Sequence, residues 1–288
     1  MRILLLASVL LGLGFGVARA ELIAIVAAEN FYGDVAQQIG GSAVSVVSIL
    51  TNPDQDPHLF EASPSTARRI AAARLVVYNG ADYDPWMVKL LAGSPSKMRV
   101  VIEVASLLHR RPGDNPHLWY DPAAMPALAR ELASRLGAID PSRRSDYERN
   151  RDAFLISLAP LGDKIAAMRK TYRGVSVTAT EPVFSYMADA IGLAMRNGRF
   201  QLAVMNDAEP GAGDIAAFED DLKLRRVRVL LYNNQASGKL TERMQALAKS
   251  NGIPVVGVGE TEPPGIRYQD WMMKQLATLD AALAAKTQ

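Results

Sequence analysis

The chain has 288 residues, 49% of them hydrophobic and 22% charged, with 21 Gly, 16 Pro and no Cys. At about 150 residues per domain this length suggests two domains. The Gly and Pro fractions exclude collagen-like and low-complexity chains. The lack of cysteine excludes a disulfide scaffold, a Cys-ligated zinc or iron–sulfur centre, a thiol nucleophile and a lipid-modified N-terminal Cys. Of the 32 Lys and Arg, Arg2 and Arg19 lie in the first 20 residues, and the other 30 balance 30 Asp and Glu, so the charge gives no reason to expect nucleic-acid binding.

Residues 1–20 carry a short positive start at Arg2, an apolar run from Ile3 to Val17 and the small-x-small site Ala18-Arg19-Ala20. This is the pattern of a cleaved signal peptide, and the run is too short for a spanning helix. The mature chain is expected to begin near Glu21 and to be soluble in the periplasm. Next comes an alternation of strand-like and helix-like segments: a strand at 22–28, a helix from Phe31 to Ile39 stopped by Gly40-Gly41, and a β-rich run at 43–50. Ser63 and Pro64 cap a helix running to Ala73. Strands follow at 75–80 and 98–104, then a helix from Pro122 to Leu136. The stretch 141–171 has no strand-like run and reads as one long helix kinked at Pro160. Alternation resumes with a strand at 174–180 and a helix ending at Ile191. Further strands at 227–233 and 253–259 alternate with helices at 240–250 and 268–285. The pattern predicts an α/β protein with two lobes of mostly parallel sheet, 21–140 and 172–288, bridged by the long helix 141–171.

The chain has three histidines. His58 lies in Asp56-Pro57-His58-Leu59-Phe60 and His117 in Asn115-Pro116-His117-Leu118-Trp119. Each follows a strand and precedes a helix, where loops of an α/β sheet line the crevice at the carboxyl ends of the strands. A matched pair in such loops points to two ligands of one metal ion. The remaining ligands must be carboxylates, carbonyls or water. Acidic residues stand at strand exits in the second lobe: Glu181 after GVSVTAT, and Glu260 and Glu262 after IPVVGVG. Two histidines from one lobe and two carboxylates from the other place the ion between lobes. His109 reads as a surface residue. Phe60, Trp119, Phe184 and Tyr186 are candidates for walling the site from water.

These segments carry a resemblance that spans essentially all the mature chain. DPHLFEASPS (56–65), VVYNGADYDPWM (76–87), NPHLWYDP (115–122), EPVFSYMADAIGL (181–193) and AEPGAGDIAAF (208–218), in that order, resemble the substrate-binding proteins of zinc/manganese ABC importers. The resemblance implies two α/β lobes joined by a rigid helix. It also implies capture of Mn²⁺ or Zn²⁺ for a membrane permease, by a protein expected to act as a monomer. His58 and His117 match the first two ligand positions. Glu181 holds the third, where many relatives have His, a choice that resembles manganese or iron binders. Glu260 and Glu262 compete for the fourth, and Glu260 is favoured because it ends the strand directly. The His-rich loop of many zinc importers is absent, and Asn233 replaces an acid usual after the penultimate strand. A periplasmic metallohydrolase is the alternative class, but HExxH and G-x-S-x-G are both missing. A metal chaperone or adhesin without a transporter is a third.

Overall fold

The computed structural model describes residues 21–54, 57, 60–236 and 238–285. The expected signal peptide and His58 lie outside the described residues. In the first half, β1 (Ile23–Glu29) leads into α1 (Asn30–Gly40), then β2 (Val44–Leu50), α2 (Pro64–Ala72), β3 (Leu75–Tyr78), α3 (Pro85–Gly93), β4 (Val100–Glu103) and the short α4 (Val104–Leu107). The strands pair in the order β2-β1-β3-β4, all parallel. After α5 (Ala124–Ile139) come α6 (Arg144–Ser157) and α7 (Ala159–Tyr172). The second half runs β5 (Ser176–Ala179), α8 (Ser185–Ile191), β6 (Ala194–Arg196), α9 (Gly198–Met205), α10 (Ala212–Lys223), β7 (Leu230–Asn233), α11 (Lys239–Ser250), β8 (Val255–Val258) and α12 (Tyr268–Ala284). Its sheet has the order β6-β5-β7-β8, again all parallel. The two sheets therefore share one topology.

Strand alternation assigns each face of the first sheet. Ile25, Ala27, Leu75 and Val77 turn towards a central core, while Val26, Ala28, Val76 and Tyr78 pack outward with Ile70 of α2 and Met87 of α3. The central core is continuous across both sheets. It takes in Val177, Ala179, Val229 and Leu231 of the second sheet, and Phe31, Trp119, Trp271 and Leu276 between the sheets. A separate cluster around Phe200, Phe218, Leu222 and Met244 covers the second sheet's outer face.

The single helix expected over 141–171 is instead a 3-10 turn at Pro141–Arg143 followed by α6 and α7, which break at Leu158. Pro160 sits in the first turn of α7, where its missing N–H leaves nothing unsatisfied. Continued into α6, that residue would lack its i−4 bond and press its ring on the carbonyl of Ile156. α6 packs on α1 and α5, whereas α7 packs on α8 and α12. The Ser63 cap forms as expected, its Oγ accepting from Thr66 N at 3.2 Å.

Candidate metal centre

The loops that leave the carboxyl ends of both sheets meet at the middle of the molecule. His117 starts a 3-10 turn and is fully buried. Its Nδ1 is 2.6 Å from Asn115 Oδ1, which also accepts the His117 backbone N–H at 3.1 Å. The Asn115 amide nitrogen donates to Pro182 O at 2.7 Å. These backbone partners fix which end of Asn115 accepts, so Nδ1 carries the imidazole proton and Nε2 presents a bare lone pair. That Nε2 is buried and has no hydrogen-bond partner among the described residues.

Glu260 lies two residues past β8 and is 1% exposed. Its Oε2 is 3.4 Å from His117 Nε2. In this tautomer a lone pair faces a carboxylate oxygen with no proton of the imidazole between them, a contact that a shared cation would make favourable. Two ligand atoms on a tetrahedral ion with bonds of about 2.1 Å stand about 3.4 Å apart, the separation seen here.

Glu181 follows β5 by two residues and is also buried. Asn233, the last residue of β7, joins the two carboxylates. Its Nδ2 donates to Glu181 Oε2 at 3.1 Å and to Glu260 Oε1 at 2.5 Å. Its Oδ1 accepts from Gln235 N at 3.0 Å, and Gln235 Oε1 in turn accepts from Glu260 N. Tyr83, from the loop after β3, donates to Glu260 Oε2 at 3.0 Å. Burial and then the Glu260 charge push the Tyr83 phenol well above its usual range, so it stays a donor. Among the described residues no three His, Asp or Glu side chains close to metal-binding geometry. His117 and Glu260 touch directly, and Glu181 is linked to them through Asn233.

Glu262 is placed elsewhere. Its backbone is clasped by Asn30, which accepts from Glu262 N at 3.0 Å and donates to Glu262 O at 2.7 Å. Burial, then the Asp34 charge, push its carboxyl up to about 9. His109 is exposed, with φ +55. Of the four aromatics, Trp119 packs edge-on against the His117 ring at 5.3 Å. Phe60 packs at a tilt against Trp86 and Phe184 edge-on against Tyr120, while Tyr186 donates to Asn115 O at 2.7 Å. A cleft of about 570 Å³ opens beside Glu181, lined by Asp207, Glu209, Lys239 and Arg243 among others. No helix among the described residues is long and apolar enough to cross a membrane.

Sequence reasoning passed over Asn233, Gln235, Tyr83 and Asn115. Asn233 stood out only as an uncharged residue at a position usually acidic. Its role comes from lying between two carboxylates that are distant in sequence.

Two parallel α/β lobes meet at a junction where buried nitrogen and oxygen side chains from both converge. The family profile described as "Zinc-uptake complex component A periplasmic" matches residues 25–282, and the chain belongs to that family. It is 23% identical to the iron ABC transporter substrate-binding lipoprotein MtsA of Streptococcus pyogenes serotype M1, over 94% of this chain and 92% of that protein. The fold is that of the periplasmic zinc binding protein TroA from Treponema pallidum, with a TM-score of 0.77, 17% identity, and coverage of 92% of this chain and 100% of that one. The Mn-bound periplasmic metal binding protein from Candidatus Liberibacter asiaticus aligns with a TM-score of 0.71 and 18% identity, over 90% of this chain and 99% of that one.

Proposed function

We propose that the protein captures a divalent transition metal ion, Mn²⁺ or Zn²⁺, between its lobes and delivers it to the permease of an ABC importer, acting by binding and release without catalysis. The ligands are His58, His117, Glu181 and Glu260, with Glu260 favoured over Glu262. The observation that carries this reading is the bare Nε2 of His117 facing Glu260 Oε2 at 3.4 Å in a site closed to water. Two neutral imidazoles and two carboxylates neutralise a divalent ion, the arrangement a poorly solvated cleft favours. Affinity for nitrogen and oxygen sites rises towards Zn²⁺, while the harder oxygens suit Mn²⁺.

The working units are 21–140, the connector 141–171 and 172–288, preceded by a cleavable signal at 1–20. The protein acts in the periplasm as a monomer without a lipid anchor. Elemental analysis of protein purified from its native compartment, followed by calorimetric titration of the stripped protein with Mn²⁺ and Zn²⁺, tests the proposal. One tightly held ion per chain, lost in His117→Ala, is the expected result. Binding undiminished in His117→Ala would overturn it.

A further inference from the structure

Behind the ligand cluster, in the first lobe, lie two carboxyl groups that the proposed capture does not use. Glu29 ends β1 and is 1% exposed. Neither of its oxygens meets a hydrogen-bond donor among the described residues. It faces Asp84, also 1% exposed, which accepts the backbone N–H groups of Asn79 at 2.7 Å and Gly80 at 2.8 Å. Asp84 thus has the donors an ionised carboxylate needs, and Glu29 has none. Two buried carboxyls can bond each other only by keeping one proton between them. Burial, then the Asp84 charge, hold Glu29 well above the usual carboxylate range. Burial likewise pushes Asp84 up to about 6 despite its backbone donors. Among the described residues the titratable groups facing the pair are acids: Tyr32 of α1, Tyr78 of β3, Tyr83 and, beyond it, Glu260.

The turn that Asp84 holds is strained. Gly80, Ala81 and Asp82 take φ of +78°, +49° and +63° in succession, and the last two are not glycine, so the turn persists only with outside support. Two contacts leave this turn for the ligand cluster. The Asn79 amide donates to Pro116 O at 2.9 Å, next to His117, and Tyr83 donates to Glu260 Oε2 at 3.0 Å. One reaches a ligand loop of the first lobe, the other a carboxylate of the second.

Resting on the metal-capture reading, we propose that Glu29 and Asp84 are positioning residues, a one-proton carboxyl pair that locks the 79–84 turn and through it sets Asn79 against the His117 loop and Tyr83 against Glu260. Glu29→Gln supplies a neutral donor of nearly the same shape that cannot titrate, whereas Glu29→Leu supplies none. Metal affinity of the full chain, read by competition titration with Zn²⁺ and Mn²⁺ at pH 7, should fall at least about tenfold in Glu29→Leu, with most of the loss recovered in Glu29→Gln. A group with a raised folded-state pKa stabilises below its unfolded value and loses that stability as pH rises through the folded one. The melting temperature of metal-free wild-type protein should therefore drop as pH rises above the ordinary carboxylate range, and the drop should be shallower in Glu29→Gln. An equal drop in both proteins would show that Glu29 does not hold the proton, and equal affinity in all three would show that the pair positions nothing. Should Glu29→Leu fail to fold by circular dichroism, Tyr83→Phe decides the link, since it removes only the hydroxyl on Glu260. A several-fold loss of affinity is expected there, and an unchanged value would overturn the proposal. His117→Ala separates the two readings. If it binds like wild type, metal capture itself is wrong. If it loses binding while the Glu29 and Tyr83 variants keep theirs, only the pair's role is wrong.

Discussion

Glu29, Asn79 and Glu103 stand at or just past the ends of β1, β3 and β4, and Glu181, Asn233 and Glu260 stand at or just past the ends of β5, β7 and β8. The two lobes thus repeat one topology and set Glu, Asn and Glu at matching strand exits, yet only the second lobe's set forms an anionic cluster. The difference lies in the amide. Asn233 turns its N–H group on both carboxylates. Asn79 instead directs its N–H groups to Gly80 O and Pro116 O and accepts the Tyr32 hydroxyl at 2.6 Å. Glu29 is left facing Asp84 without a donor, while Glu103 accepts from Ser106 at 2.5 Å at the sheet edge. One residue type at one topological position becomes an amide-bonded carboxylate or a buried acid without a donor, according to where a neighbouring amide points.

The largest expected effect separates the lobes at the carboxylates. Glu181→Ala and Glu260→Ala should each weaken metal binding by more than about a hundredfold, beyond what loss of a supporting contact costs, while Glu103→Ala should change it by less than about threefold. Equal losses from Glu103→Ala and Glu260→Ala in calorimetric titration would erase the distinction. Both amides should matter to binding, and Asn79 to stability as well. Asn233→Ala should lower affinity about 10–100-fold, because both carboxylates lose their orienting donor. Asn79→Ala should lower thermal or urea stability, by about 2–4 kcal/mol, because a buried hydroxyl and two carbonyls lose their partner.

Acid should act on the ligand set as a whole. Binding should weaken on acidification and release protons as it forms, since a protonated imidazole cannot ligate; titration calorimetry in buffers of different ionisation enthalpy reads that release. The smallest effect lies at the far edge of the second sheet. Burial alone would raise the Asp221 carboxyl, but hydrogen bonds from Arg196 at 2.6 and 2.9 Å, and from Asn197, outweigh it and hold the group below its usual value. Asp221 therefore stabilises the fold above the unfolded carboxylate pKa, and that contribution fades as pH falls through the lowered folded value. Asp221→Asn should cost about 1–3 kcal/mol at pH 7 and less at pH 3, as read from denaturant midpoints.

Periodicity made the paired strands and most helices readable, because the central strands β1, β3, β5 and β7 are mostly buried and read as apolar runs. The short elements escaped. β6 is a three-residue edge strand, Ala194–Arg196, two of whose residues are exposed, so no apolar pattern marks it. α9 begins at Gly198, directly after Asn197 with φ +61, where a turn is the natural reading of the sequence. α3 buries only Met87, so its helical stripe is too thin to register. At the candidate site, His117, Glu181 and Glu260 were legible because Pro-His loops and strand-exit acids are local patterns. Tyr83, Asn115, Asn233 and Gln235 were not, since a neutral side chain reveals its task only when its partner from another loop is beside it. Glu29 is the converse case. As a strand-exit acid it looks in sequence like Glu181, and only burial opposite Asp84 tells the two apart.

The break between α6 and α7 gives the molecule a seam. On one side the helix belongs to the first sheet's packing, on the other to the second's, and the apolar interior runs uninterrupted beneath. A backbone nick between Leu158 and Ala159 would leave two pieces with complementary greasy faces, neither of which can hide its own. Such halves should be insoluble apart and self-assembling together, which would make the protein a natural split reporter, its reunion strengthened by any ligand that binds only the joined form.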